Sequence, residues 1–558
     1  MQSEILSEKF QILLRKLLEI TSFLLFAPFF VIILMFLHIY RRLIEIVLRI
    51  QLRDKFAGLL EGSDALWSVE DTSLSLITAI LIVKKTAGST NTIFLKNIRK
   101  FFTHLSKTVP KELDKLFYYR YQKFGYFYWE KSKFNPETAI RWLECEISNC
   151  DGSCENVHST TFQENLGFIC NQPLYDNHKP MWEMLIGRRC SKFSSYMEED
   201  PSLSSEDRFN TDVDEIPVVF RVHHSLGDGI ALLKMLSTVI ADDDVIKEQS
   251  TIMLRNSILI DKKNNFKEKK ILFSKTKIIS NLKQVYNKTK KMILILFSLK
   301  LLISQIVRST GKSSLYSQPL TGEKLIFCLM ENDANKSLLM KIKKIKQYTG
   351  TRFNDIVITA FAAGVVKYYS RIKEVIPDAM SVFIPIRMSM PDEKVMLSND
   401  FSFLMIKSCF VDADKKNILT VNKTACRFLE RLQKTASINN RIRNSLEASV
   451  NFFFLKHVSG LLPAEVLRYC TEFFCTMVFS NVMGMPKKIP ILKHSVDNIL
   501  FSIPNRGITG LGLTTLTYDD KINLCLVVDK AIIKNRKLIT EILKETVREI
   551  DYAYNSLA

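Results

Sequence analysis

The sequence predicts a mixed α/β protein of two large lobes preceded by a membrane-embedded helix, and three observations carry this. The chain has 558 residues, and at about 100–200 residues per domain that length accommodates two large folding units. β-Branched apolar runs and apolar runs at helical spacing are mixed along it without strict βαβ alternation. Finally, Ile20–Tyr40 contains 21 residues without a charge, and about 20 apolar residues at 1.5 Å rise cross a bilayer core.

The membrane segment ends in Arg41 and Arg42 rather than in a small-residue cleavage site, so it is expected to stay in the mature chain. Arg41, Arg42, Arg49, Arg53 and Lys55 follow it against only Glu45 and Asp54, whereas residues 1–19 are balanced in charge. The positive-inside rule then places the remainder in the cytosol. Pro28 leaves both a span and a hairpin open. The formal net charge of +20 suits nucleic acid, an anionic membrane or a polyanionic substrate. No finger, ribonucleoprotein or helix-turn-helix signature is present, so no nucleic-acid partner is expected.

The segments follow in order: a tail over 1–19, the membrane segment over 20–40, a first lobe over 59–250, a basic linker with an apolar helix over 251–320, and a second lobe over 321–558. In the first lobe, Leu59–Val83 reads as a loop and then a buried strand, Ile216–Val222 as a strand and Ile230–Ile240 as a helix. Ser194–Glu215 is acidic and serine-rich, the composition of a surface insertion. In the linker a dozen basic residues between Arg255 and Lys291 face only Asp261 and Glu268, and Met292–Val307 is largely apolar with Lys300 as its only charge. That pattern fits an interfacial element on an anionic leaflet as well as it fits a solvated linker and a packed helix. The second lobe contains a helix at Phe353–Ser370, strands at Met380–Pro385, Leu511–Tyr518 and Ile522–Asp529, and a charged C-terminal helix. Eleven cysteines include no CxxC pair. Cys145, Cys150, Cys154 and His158 cluster, but at spacings looser than usual zinc pairs, so reduced thiols and no metal are expected.

The residues richest in chemistry are His223-His224-Ser225-Leu226-Gly227-Asp228-Gly229, between the predicted strand and helix. Successive strand residues face opposite ways, so one imidazole can face a substrate space while its neighbour packs inward. A histidine near its reference pKa of about 6.5 is mostly neutral in the cytosol and suits proton removal from an alcohol. Gly227 and Gly229 permit a tight turn, and Asp228 can cap the next helix or pair with a cation. Ser225 lacks a GxSxG elbow.

This heptad resembles the HHxxxDG motif of coenzyme A-dependent acyltransferases. Pro173-Leu174 with Pro180-Met181-Trp182-Glu183, Ser63-Asp64-Ala65, Asn354-Asp355 and Ser480-Asn481-Val482-Met483-Gly484 narrow the resemblance to the wax ester synthase / diacylglycerol acyltransferase family. Met181, Met483 and Met485 depart from the family pattern. The resemblance covers about Leu59 to the C-terminus, the insertion and the linker excepted.

It implies two chloramphenicol acetyltransferase-like lobes with a tunnel between them. His224 is then the general base, with His223 and Asp228 beside it in the motif. The donor is a long-chain acyl-CoA, a co-substrate rather than a cofactor, and the acceptor is a fatty alcohol or diacylglycerol. A membrane is the expected partner, that of the endoplasmic reticulum first, with a lipid droplet or the plasma membrane as alternatives. Asn354 is the candidate oxyanion donor, with a helix N-cap as the competing role. Gly229, Asp355 and Arg387 are expected to support the site structurally, Arg387 as the partner of Asp228. Trp182 is expected either to line the acceptor side or to pack in the core. A sterol or other hydroxylated small molecule as acceptor, and a catalytically silent membrane scaffold, are the alternatives.

Overall fold

The computed structural model describes residues 28–69, 75–174, 180–192, 209–211, 213–242, 319–331, 337–377, 379–388, 396–410, 421–470 and 475–557, with positions 286, 289, 314 and 315. Residues 20–27 of the expected membrane segment, most of the acidic insertion and nearly all of the linker with its apolar helix lie outside this set.

Fifteen strands are present among the described residues. In the first half they are β1 (Phe56–Leu59), β2 (Leu76–Lys84), β3 (Tyr118–Lys123), β4 (Tyr126–Lys131), β5 (Ile140–Trp142), β6 (Trp182–Ile186) and β7 (Glu215–His223). The second half adds β8 (Lys324–Leu329), β9 (Ala379–Arg387), β10 (Phe401–Cys409), β11 (Met477–Met483), β12 (Pro490–Ile491), β13 (His494–Ser502), β14 (Leu511–Tyr518) and β15 (Lys521–Asp529).

They form two six-stranded sheets, ordered β12-β13-β2-β7-β6-β5 and β10-β9-β11-β14-β15-β8, and a small sheet β1-β4-β3. The first large sheet carries the core of one lobe and the second that of the other, and both mix parallel and antiparallel pairs. The expected α/β class thus holds. The division at 59–250 and 321–558 is crossed, however: β12 and β13 come from the C-terminal half but pair into the first lobe's sheet, β13 running antiparallel to β2. A buried inner strand and its host read alike in sequence, so nothing local announces which sheet receives it.

The central strand β7 is flanked by β2 and β6, and eight of its nine residues are buried. Arg221 in this strand is kept inside by Glu183 of β6, which also takes a 2.7 Å bond from Arg141. Glu183 of the PMWE segment therefore neutralises the buried Arg221 and the half-buried Arg141 rather than reaching a substrate. In the second lobe, helix Phe353–Ile372 packs on helix Arg536–Asn555 so closely that a Cβ at Gly364 would lie 2.4 Å from the Ile542 carbonyl oxygen.

Residues 28–52 are helical. Ile44 and Leu48 of this helix pack with Leu59, Tyr126 and Tyr128, and Arg41 donates to the Leu60 carbonyl. No helix among the described residues is long and apolar enough to cross a membrane.

Candidate active site

Strand β7 stops at His223, and the two histidines diverge as the alternation of a strand requires. His223 is fully buried. Arg120 contacts its Nε2 at 3.3 Å and Ser225 Oγ its Nδ1 at 2.7 Å. The Ser225 amide also donates to Nδ1 at 3.2 Å, so the ring is pinned at both nitrogens. Burial first, then the Arg120 charge, hold this ring well below the usual histidine range and so neutral.

His224 takes the other side, and its position is secured at three points. Its backbone N–H donates to the Ser75 carbonyl at 2.9 Å. Its ring stacks on Trp67, with centroids 3.9 Å apart and planes within 8°. Its Nδ1 lies 2.9 Å from Asn399 Oδ1. The Asn399 Nδ2 group donates to Asp64 Oδ1 at 2.9 Å and to the His224 carbonyl at 2.6 Å. Both of those atoms only accept, so the amide is oriented with Oδ1 toward the ring and the proton sits on Nδ1. Nε2 is left with its lone pair. Burial first, and then the Arg506 charge, lower the pKa of His224 to about 4 against the opposing hydrogen bonds.

Asp64 belongs to the short helix Gly62–Ser68, which also carries Trp67. Lys115 neutralises Asp64, and Ser63 Oγ donates to the Asn399 carbonyl at 2.7 Å. The Ser63-Asp64-Ala65 element thus acts on His224 through Asn399 and Trp67. Gly62 lets this helix start where it does, since its φ is +52° and a Cβ there would press on the Leu455 carbonyl at 3.1 Å.

Asp228 closes the heptad. Its Oδ1 accepts from the amides of Ile230 and Ala231 at 3.1 and 2.9 Å, capping helix Gly229–Met235. Its Oδ2 accepts from the Asp400 amide at 3.2 Å, and Arg387 of β9 reaches both oxygens at 3.1 and 3.3 Å. Burial raises the pKa of this carboxyl, and Arg387 and the amides oppose the rise. With that many donors Asp228 holds the turn and joins the lobes.

Three spaces surround this turn. His224, Trp67, Asp228, Gly229, Arg387 and Arg506 border a largely apolar cleft of about 960 Å³, counted with its open mouth, whose far wall includes Ser480, Asn481 and Val482. An apolar pocket of about 820 Å³ lies against the first lobe's sheet and shares Ile77, Gly229, Val482 and Phe501 with the cleft. A polar cleft of about 1080 Å³ shares Ile230 and Arg387 with it and carries Lys115, Lys234 and Lys456. A neutral imidazole with a lone pair beside such a cleft can accept a proton from a hydroxyl group.

Two expectations need correction. Trp182 does not border the cleft: it is 1% exposed, its Nε1–H donates to the Leu116 carbonyl at 2.7 Å, and its ring packs on Phe102, Phe134 and Phe220. Asn354 does not line the cleft either, nor does it cap its helix, whose N-cap is Arg352. Its Oδ1 accepts from Asn481 Nδ2 at 2.8 Å, so it braces a residue of the cleft wall. Asp355 is sealed by Asn439 and both terminal nitrogens of Arg443 at 2.8–2.9 Å, a structural pair under the second lobe. Sequence reasoning missed Asn399, Trp67 and Arg506. Only Trp67, three residues from Asp64, lay near a recognised motif.

Residues 418–551 match the family model described as the WS/DGAT C-terminal domain. Among solved structures the chain is similar to a wax ester synthase/diacylglycerol acyltransferase from Marinobacter aquaeolei VT8, with 13% identity and a TM-score of 0.52 over 89% of this chain and 100% of that one. It is also similar to a trichothecene 15-O-acetyltransferase from Fusarium sporotrichioides, with 10% identity and a TM-score of 0.56 over 89% and 95% of the two chains. The first condensation domain of the calcium-dependent antibiotic synthetase gives 10% identity and a TM-score of 0.50 over 88% and 96%. At these identities the likeness is one of fold. No curated protein matches by sequence. Residues 418–551 thus match the C-terminal domain of the wax ester synthase / diacylglycerol acyltransferase family, and the chain as a whole shares the fold of a solved enzyme of that name.

Proposed function

We propose that the chain is an acyl-CoA-dependent O-acyltransferase that forms wax esters, triacylglycerol or both from a long-chain acyl-CoA and a fatty alcohol or diacylglycerol. The observation that carries this reading is the His224 ring, held through Nδ1 by Asn399 and bordering an apolar cleft between two lobes.

In the proposed reaction His224 Nε2 takes the hydroxyl proton as the alcohol oxygen attacks the thioester carbonyl carbon. The tetrahedral oxyanion collapses, the C–S bond breaks, and the departing thiolate recovers the proton from His224. The product ester and free coenzyme A balance the step without a covalent enzyme intermediate. Trp67 Nε1–H is buried with no hydrogen-bond partner among the described residues. The Trp67 ring borders the cleft, so this N–H replaces Asn354 as the candidate oxyanion donor. The apolar pocket suits the acyl chain. The polar cleft, with Lys115, Lys234, Arg387 and Lys456 in its walls, suits the phosphates of the coenzyme.

A bilayer-soluble acceptor is reached best by an enzyme held at the bilayer. The helix over 28–52 exposes Phe29, Ile33, Phe36, Ile39, Leu43 and Ile50 while Ile44 and Leu48 hold the first lobe. We assign this exposed face, with the apolar residues before it, to a membrane surface, the cytosolic face of the endoplasmic reticulum being the proposed location.

The test is an assay of membranes carrying the full chain, with labelled palmitoyl-CoA and a panel of hexadecanol, diacylglycerol, a sterol and polar alcohols. Ester from hexadecanol or diacylglycerol, abolished by His224→Ala, is the expected result. Turnover only with a polar alcohol or a sterol would reject the substrate assignment, and full activity in His224→Ala would reject the mechanism.

A further inference from the structure

We propose that Cys145, Cys150, Cys154 and Cys190 form a tetrathiolate site for a zinc ion that clips together the edge of the first lobe's sheet. Their four sulfur atoms all lie within 4.8 Å of one another, the one such group of potential metal ligands among the described residues. Zinc bound by thiolates at about 2.3 Å holds its sulfurs about 3.8 Å apart in a tetrahedron, so the cluster needs only small side-chain adjustment to close on the ion.

The backbone explains why these four meet. Strands β5 and β6 are parallel neighbours in the register Ile140↔Met184, and the Leu143 amide continues the ladder by donating to the Ile186 carbonyl at 2.7 Å. Cys145 and Cys190 lie just beyond the same ends of these strands, which brings together residues far apart in sequence. Between them the chain turns back through Gly152, at φ +88°, into the 3-10 turn Ser153–Glu155, which delivers Cys150 and Cys154.

The loop is fixed from outside the cluster as well. The Cys190 amide donates to Glu155 Oε1 at 2.7 Å, and the Glu146 amide to Asn165 Oδ1 at 2.7 Å. Ligands already in position lower the entropy lost on binding. Cys145, Cys154 and Cys190 are buried and Cys150 is half-buried, a closed set with no open position for a substrate. None of the four borders the His224 cleft, so the role is structural. His158, near them in sequence, is not a member: its Nε2 sits 3.5 Å from Glu215 Oε2. Soft thiolates select zinc over magnesium or calcium. On binding, the four thiols release their protons to solvent and four Zn–S bonds form, with no change of oxidation state. The expectation of ordinary thiols rested on sequence spacing, which could not include Cys190.

The full-length protein, purified without chelator, should contain one zinc ion per chain by elemental mass spectrometry. Cys150→Ser and Cys190→Ser should each lower that content by about tenfold or more, as loss of a ligand from a closed site does. His158→Ala and Cys170→Ser should leave it unchanged. If the serine variants do not fold, the wild-type chain decides alone, because cobalt put in place of zinc should show sulfur-to-metal charge transfer and the visible bands of a tetrahedral tetrathiolate. Three results would overturn the site: a wild-type chain with no stoichiometric zinc that fails to bind cobalt in this geometry, two disulfides among the four residues by peptide mapping, or zinc retained in both serine variants.

Discussion

Asn399 Oδ1 lies 2.9 Å from His224 Nδ1, and 175 residues of chain separate them. The imidazole belongs to the strand end of one lobe and the amide to the segment leading into β10 of the other. A single side chain therefore sets the tautomer of the proposed base and bridges the lobes, with Asp64 and Ser63 holding it from behind.

Asn399→Ala is expected to lower kcat by about 10²-fold while changing the KM for acyl-CoA much less, because the ring loses its tautomer and its aim rather than a substrate contact. The Asp64 carboxylate also loses a donor, so stability should fall by about 1–3 kcal/mol. Steady-state kinetics and urea unfolding on the same preparation separate the two effects.

The pH dependence follows from the same ring. In the unfolded chain a histidine takes a proton below about pH 6.5, but burial delays this in folded His224 to about 4. Between those values the unfolded state binds more protons. The stability tied to this ring is thus complete above about pH 6.5 and is lost progressively as pH falls toward 4, by about 3 kcal/mol. His223, pushed the same way, adds to the loss. Urea unfolding between about pH 7 and pH 5 should show this slope, and His224→Gln should flatten it. For the same reason the acid limb of kcat/KM should lie nearer pH 4 than 6.5.

Much of the site could be read from the sequence because its signals are local. An apolar run that stops on two histidines, then a glycine turn and an apolar helix, places His223 and Asp228 on opposite sides of one turn without knowledge of the partners. What could not be read depends on distance along the chain. Asn399 lies 335 residues from the Asp64 it bonds, and Cys190 joins Cys145 only through the register of β5 and β6. The visit of β13 to the first lobe's sheet is likewise a matter of pairing, not of composition. Trp182 marks a different limit, since an aromatic ring suits a core and a cleft equally until its hydrogen-bond partner is known.

The Asp228–Arg387 pair should behave as a buried ion pair. Arg387→Ala leaves a carboxylate enclosed with only backbone donors, at a cost of about 3–5 kcal/mol. Arg387→Met combined with Asp228→Asn removes both charges while an oxygen remains to accept from Ile230 and Ala231, so it should recover a large part of that loss. Chemical denaturation of the two variants and the parent tests this, and equal instability of single and double variants would contradict it.

The two tryptophans near the motifs should separate by what they damage. Trp182→Phe leaves the Leu116 carbonyl without its indole donor inside the core, so it should cost about 1–3 kcal/mol of stability and leave the KM for the alcohol unchanged. Trp67→Phe keeps an aromatic ring against His224 and under Arg506, whose guanidinium lies 4.7 Å from the Trp67 ring centroid, but removes the unpartnered N–H. If that N–H meets the developing oxyanion, kcat should fall by about 10²-fold with KM nearly constant, the signature of an interaction made in the transition state. Trp67→Ala removes the stacked ring as well and should reduce kcat by about a further tenfold through a loosened imidazole. A Trp67→Phe enzyme with wild-type kcat would return the oxyanion role to another donor of the cleft wall, the Asn481 amide being next in line.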